Sequence, residues 1–240
     1  DFVTPLYKRK RYEGNTTNHF VFPLIYSLYG VTIRQPIGGD YAFNKKYINL
    51  FCQLNHPSFV QSYGIDIYML LCALKNVTVS QVELGYKKHA PSDHKMLRIF
   101  NEVVNGFTNS MICFPPQNCV RLISTNIENY ISIDKRISDD FYKRNVRLKI
   151  NKETFEDCYF QWKQKLKEYI IQVNCSKKVE VENFALYFDD YVKAYWKYFE
   201  KSSVEQCEHQ IYRLANDLKK EMEGEKDAID KGRLYRFRTE

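Results

Sequence analysis

Four short stretches of this sequence gather residue types that can do chemistry: Gly14-Asn15-Thr16-Thr17, Arg34-Gln35-Pro36-Ile37-Gly38-Gly39-Asp40-Tyr41-Ala42, Tyr63-Gly64-Ile65-Asp66-Ile67 and Gln81-Val82-Glu83-Leu84-Gly85-Tyr86-Lys87-Lys88-His89. In the second, Gly38 and Gly39 lack side chains, so backbone N–H groups can approach a ligand hydroxyl or carboxylate, and Asp40 can accept from hydroxyls beside them. A plain exposed turn is the competing reading. Asn15 and Thr17 stand at the expected start of a helix, where backbone donors and the helix dipole favour an anionic group. Asp66 opens a further helix and could either cap it or present its charge to a ligand. His89 follows an expected strand with Lys87 and Lys88 beside it, so it is either a solvated loop residue or one of a group that meets phosphates.

The order and spacing of these stretches resemble the carboxy-terminal half of glucosyl-3-phosphoglycerate synthase and related mannosylglycerate-synthase-like glycosyltransferases, in which QP-x-GGE-Y-A, YGVEI and QV-x-LG…H segments follow one another. The likeness covers roughly residues 1–105. It implies the carboxy-terminal part of a GT-A (nucleotide-diphospho-sugar transferase) mixed sheet with flanking helices. The implied activity is hexose transfer from a nucleotide-diphosphate sugar donor to a small polar or anionic acceptor, with retention at the anomeric carbon.

By resemblance, the acceptor contacts are Asn15, Thr17, Ile37, Gly38, Gly39, Asp40 and Tyr63. Asp66 matches a glutamate that lies near the transferred sugar, which makes it the implied catalytic carboxylate, able to hydrogen-bond the sugar or acceptor or to stabilise oxocarbenium-like charge. His89 matches a ligand of the divalent cation, Mg or Mn, that neutralises the leaving diphosphate. Asn15 stands where the phosphoglycerate-using relative carries a basic residue. The DxD motif that completes such a metal and donor site belongs to an amino-terminal half. No pattern here supplies it, since Asp139-Asp140 and Asp189-Asp190 come after the acceptor motifs, so the cation is expected only together with a DxD-bearing half.

Elements that could position these residues can be read in turn. Phe2 to Tyr7 reads as a strand. Apolar residues at 20, 21, 24, 25 and 28 predict a helix over Thr16 to Leu28 that Gly30 stops. Val31 to Ile37 reads as a short strand leading into the Gly38-Gly39-Asp40 loop, Tyr41 to Leu54 as an amphipathic helix, and Tyr63 onward to Leu74 as another. Val77 to Tyr86 alternates as a strand, a helix follows over about Lys95 to Val104, and Pro115-Pro116 closes this α/β first region, residues 1–115.

Residues 116–240 are expected to be mainly helical. Three long periodic segments begin near Phe155, Phe184 and Val204, the last behind a capping box over Ser202-Ser203-Val204-Glu205. The series Phe184, Phe188, Tyr191, Tyr195, Phe199 has the spacing of one helix face and predicts core packing over a sugar-stacking platform.

Composition narrows the classes. With 44% hydrophobic and 15% aromatic residues, 240 residues can bury a sizeable core, which argues against disorder. Nine glycines and seven prolines are too few for a turn-rich all-β fold. No run approaches the length of apolar sequence a membrane span needs. The seven cysteines form no CxxC pair and are odd in number, which predicts a reduced, cytoplasmic protein without a zinc or disulfide framework. The net charge of +7, with basic stretches at Lys8 to Arg11 and Lys135 to Lys152, keeps an alternative open: a non-catalytic basic module for nucleic acid or an anionic membrane surface. No helix-turn-helix, zinc-finger or RNP pattern accompanies it. A homo-oligomer built through the helical region is a further expectation.

Overall fold

The computed structural model describes residues 1–87, 95–116, 131, 133, 150–174 and 181–230. Among these, the chain is mixed α/β, with a small three-stranded sheet and seven α-helices. The strands β1 (Phe2–Lys8), β2 (Ala42–Phe43) and β3 (Val79–Tyr86) lie in the order β2-β1-β3, with β1 antiparallel to β2 and parallel to β3. Central β1 buries Phe2, Thr4, Leu6 and Tyr7, the pattern of a strand covered on both faces. Pro5 is tolerated because β2 pairs only with Phe2 and Val3, leaving Pro5 with one strand neighbour. Opposite Leu6 and Tyr7 stand Glu83 and Gly85, so Leu84 is the extra residue of a bulge, and Gly85 adopts φ 73°, a left-handed conformation that suits glycine.

A π-helical turn, Thr17–Val21, runs into α1 (Phe22–Tyr29), which Gly30 closes at φ 67°. The other helices are α2 (Lys45–Cys52), α3 (Ile65–Asn76), α4 (Met96–Cys113), α5 (Lys152–Asn174), α6 (Val181–Tyr198) and α7 (Val204–Asp230).

Several local expectations need correcting. Val31 to Ile37 is not a strand. A side chain takes the place of a strand neighbour: Gln81 Oε1 accepts from Arg34 N at 2.8 Å and Gln81 Nε2 donates to Thr32 O at 2.6 Å. The helix expected from Tyr41 starts later, because Ala42–Phe43 pairs with β1 and Asn44 then caps α2, its side chain accepting from Tyr47 N at 3.1 Å. The helix expected to end at Val104 continues to Cys113. The capping box lies one residue further on, between Ser203 and Gln206: Ser203 Oγ accepts from Gln206 N and Gln206 Oε1 from Ser203 N, at 3.2 and 2.8 Å.

The predicted aromatic face of α6 is core: Phe184, Phe188, Tyr191, Tyr195 and Phe199 are all buried. Phe188 stacks on Phe100 of α4 with ring centroids 3.9 Å apart. Since α1 also packs on α7, the α/β part and the long helices share one hydrophobic core. Polar ties run the same way. Trp162 Nε1 donates to His19 O at 2.9 Å, and the fully buried Arg34 bonds Glu208 of α7 through Nε and Nη2, at 3.2 and 3.3 Å, and Asn18 Oδ1 through Nη1 at 2.8 Å. Among the described residues no helix is long and apolar enough to cross a membrane. The five described cysteines, Cys52, Cys72, Cys113, Cys158 and Cys207, are unbridged.

Candidate active site

A cleft of about 440 Å³ opens where the 14–17 turn, the 37–39 loop, the starts of α3 and α4 and the end of β3 converge. Asn15, Thr17, Ile37, Gly38, Gly39, Tyr63 and Asp66 all line it. The turn is built by Gly14, whose φ of 69° bends the chain so that Gly14 O accepts from Asn18 N at 2.8 Å. Glu13, buried beneath, accepts from Lys10 N at 3.0 Å. Thr17 begins the π-helical turn, a wide-wound geometry that recurs at functional sites.

Asn15 faces two ways. It lines the cleft, yet its amide is bonded within the protein: Nδ2 donates to Tyr12 O at 2.9 Å and Oδ1 accepts from Trp196 Nε1 at 3.0 Å. The residue that resemblance marks as an acceptor contact therefore also fastens the turn to α6.

The glycine loop is pressed against the sheet. A Cβ on Gly38 would stand 2.4 Å from Pro5 Cγ, and Gly39 has φ 83°. Gln35 anchors the loop by donating through Nε2 to Tyr7 O and accepting from Arg9 Nε at 3.4 Å. Asp40, alone of the expected acceptor contacts, does not line the cleft; its Oδ2 accepts from Tyr7 Oη and from Lys87 Nζ, the latter at 2.6 Å. These bonds, Lys87 first, hold the Asp40 carboxyl below the usual carboxylate range. The Tyr7 hydroxyl is pushed up to about 12, by burial and then by its bond to Asp40. Lys87 follows the bulge at the end of β3, the feature that turns the chain at the edge of the sheet.

Tyr63 is exposed at the mouth. Gly64, not Asp66, is the N-cap residue of α3, so the Asp66 carboxylate is not needed to cap its helix. Burial pushes Asp66 up to about 6, opposed by Lys87 and reinforced by Asp40. The group is mostly ionised at neutral pH but poised close to its titration, as acid–base and charge-stabilising carboxylates are.

His89 and Lys88 lie outside the described residues, as do Asp139 and Asp140. Among the described residues no group of three or more His, Cys, Asp or Glu side chains could hold a metal ion. Asp40 is committed to Lys87 and Tyr7. The described part of the cleft thus does not fit a divalent cation by itself. Arg9, Glu13, Lys95, Met96, Ile99 and Val103 line the same cleft although no motif marks them as site residues, and Lys87, the expected phosphate neighbour of His89, lines it too. A basic stretch at 8–11 and a periodic helix after His89 were the available sequence signals for most of them, but neither carries a direction in space.

No family model matches the chain, and no curated protein matches it.

Proposed function

We propose that this chain is the acceptor-side part of a GT-A type glycosyltransferase, which moves a hexose from a nucleotide-diphosphate sugar to a small polar or anionic acceptor. The observation that supports this reading most is the convergence of three of the four sequence stretches, with Lys87 from the fourth, on one cleft. Residues as far apart in sequence as Asn15, Gly38 and Asp66 had been grouped by motif order alone.

In this reading the acceptor enters past Tyr63 and meets the backbone of Gly38 and Gly39 and the hydroxyl of Thr17. Asp66 faces the reacting centre, where a carboxylate stabilises oxocarbenium-like charge. The cation implied by the resemblance would need ligands beyond the described residues, His89 and a DxD motif among them, so no step is assigned to it. Retention, a cytoplasmic location and a homo-oligomeric state belong to the same proposal.

Thermal unfolding of the purified chain tests it, run with UDP-, GDP- and ADP-sugars, Mg²⁺ or Mn²⁺, and a panel of carboxylate and phosphate acceptors. A ligand that binds only the folded state raises the midpoint by mass action. An acceptor-induced rise that is lost in Gly38→Val is the expected result. No rise with any acceptor or donor, joined to steeply salt-dependent binding of a polyanion, would favour the basic binding module instead.

A further inference from the structure

One wall of the cleft is apolar in a way that a hydroxyl-rich acceptor does not use. Met96 and Ile99, at i and i+3 of α4, turn one half-buried helix face to it over the buried Val103, and Ile37 adds to this surface from the glycine loop. Met96 Sδ lies 3.9 Å from Asn15 Nδ2, so this face adjoins the 14–17 turn. Cations stand beside it. Lys95 precedes Met96, and Arg9 crosses Gly14 closely enough that a Cβ there would lie 3.3 Å from Arg9 Cδ. Arg9 and Lys87 both lie against the Tyr7 ring, 5.6 and 4.7 Å from its centroid.

Several polar side chains that could have bound hydroxyls are engaged within the protein. The Asn15 amide serves Tyr12 and Trp196, Asp40 serves Tyr7 and Lys87, and Gln35 serves Tyr7 and Arg9. A polyol would gain nothing from these three side chains without breaking those bonds, which leaves its hydroxyls to Thr17, Tyr63, Asp66 and the glycine-loop backbone.

We infer that the cleft takes an amphipathic anion: a phosphate or carboxylate held by Arg9 and Lys95, on an apolar body that covers Met96, Ile99 and the neighbouring Ile37. The inference rests on the acceptor reading above and gives that acceptor a chemical class. Covering about 50–60 Å² of apolar surface corresponds to a tenfold gain in affinity, and one aromatic ring offers more than that.

The test is titration of the full chain with phenyl phosphate, glycerol 3-phosphate and inorganic phosphate at one fixed ionic strength. Calorimetry gives the affinities, and a fluorescence change that disappears in Trp196→Phe, which removes the indole bonded to Asn15 at the cleft edge and leaves Trp162, locates the event. Phenyl phosphate is expected to bind at least tenfold more tightly than glycerol 3-phosphate. Ile99→Ser should remove most of that preference, and Arg9→Gln should weaken all three ligands. Because Ile99 and Met96 both pack partly against the core, Met96→Ser serves as a second, independent variant, with thermal melts showing that each is folded.

Vesicles of phosphatidylcholine with and without phosphatidate separate the two sources of such an anion. Phosphatidate-dependent co-sedimentation means a lipid-borne anion, and phenyl phosphate binding without it means a soluble one; both support the inference. Equal or tighter binding of glycerol 3-phosphate, a preference untouched by either apolar-wall variant, or no binding of any of the three would overturn it. Phenyl phosphate binding without any hexosyl transfer by the complete enzyme would refute the transferase reading alone, whereas transfer to polyol acceptors with no apolar preference would refute this inference alone.

Discussion

His19 is fully buried between the rings of Tyr191 and Tyr195, with centroids 5.3 and 4.4 Å away, and neither of its ring nitrogens has a partner among the described residues. Burial, reinforced by Arg34, pushes its imidazole down to about 3 from an ordinary 6.5. The unfolded chain takes up a proton below about 6.5 and the folded chain only near 3, so the stability tied to His19 is complete above 6.5 and is lost as pH falls through that window. The slope contributed is up to about 1.4 kcal/mol per pH unit. His19→Phe, which keeps a ring between the two tyrosines, is expected to flatten the acid limb of stability measured by urea unfolding; an unchanged limb would assign the acid sensitivity to other groups. Asp66 has the opposite sign: raised to about 6, its protonated form is favoured by folding, and that contribution disappears as pH rises through 6. At this scale the sequence revealed which residues could matter but not what holds them. Asn15 was legible as a residue at a helix start, while its partner Trp196 lies 181 positions away, a pairing that no local pattern encodes.

At the scale of elements, Gly64 and Gly106 let α3 and α4 cross in near-contact. A Cβ on Gly106 would stand 2.3 Å from Gly64 Cα, a backbone atom with nowhere to move. Gly106→Ala is therefore expected to cost at least about 2 kcal/mol in chemical denaturation. Gly224, exposed on α7 with nothing within 4 Å of its absent Cβ, should respond oppositely, Gly224→Ala stabilising by about 0.5–1 kcal/mol. Equal effects at the two positions would show that helix propensity, not close approach, governs Gly106. The crossing also fixes the start of α3, where Tyr63 and Asp66 enter the cleft, so the glycine of the third stretch has a packing role beside any functional one. Helices with a clear apolar period were legible from sequence, as α5, α6 and α7 show. Val31 to Ile37 was not, because its strand-like composition is answered by the Gln81 side chain and not by a second backbone. The late start of α2 is similar: Asn44 decides it, and apolar periodicity alone does not register a cap.

Across the whole molecule, the long helices act as part of the cleft's support. Glu208 of α7 pairs with buried Arg34, which also bonds Asn18, and Glu208 accepts from Ile133 N at 3.1 Å. One buried carboxylate thus ties the glycine loop and the π-helical turn to α7. Glu208→Ala would leave the guanidinium uncompensated and is expected to cost about 3–5 kcal/mol, whereas the paired change Arg34→Met with Glu208→Leu should recover only part of that loss, since Ile133 N and Asn18 Oδ1 lose their partners. A small cost for Glu208→Ala alone would mean that water or other groups satisfy Arg34. The sequence suggests a division near residue 115 by its change of composition, yet the aromatic face of α6 and the Trp162 and Trp196 contacts show residues on either side of that position packed on one core. Hexosyl transfer by a polypeptide that joins this chain to a DxD-bearing half, wild type against Asp66→Asn, tests the central claim most directly. The account predicts transfer from one nucleotide hexose that falls by about a hundredfold or more in turnover in the variant, with the acceptor KM little changed; undiminished transfer by Asp66→Asn would contradict it.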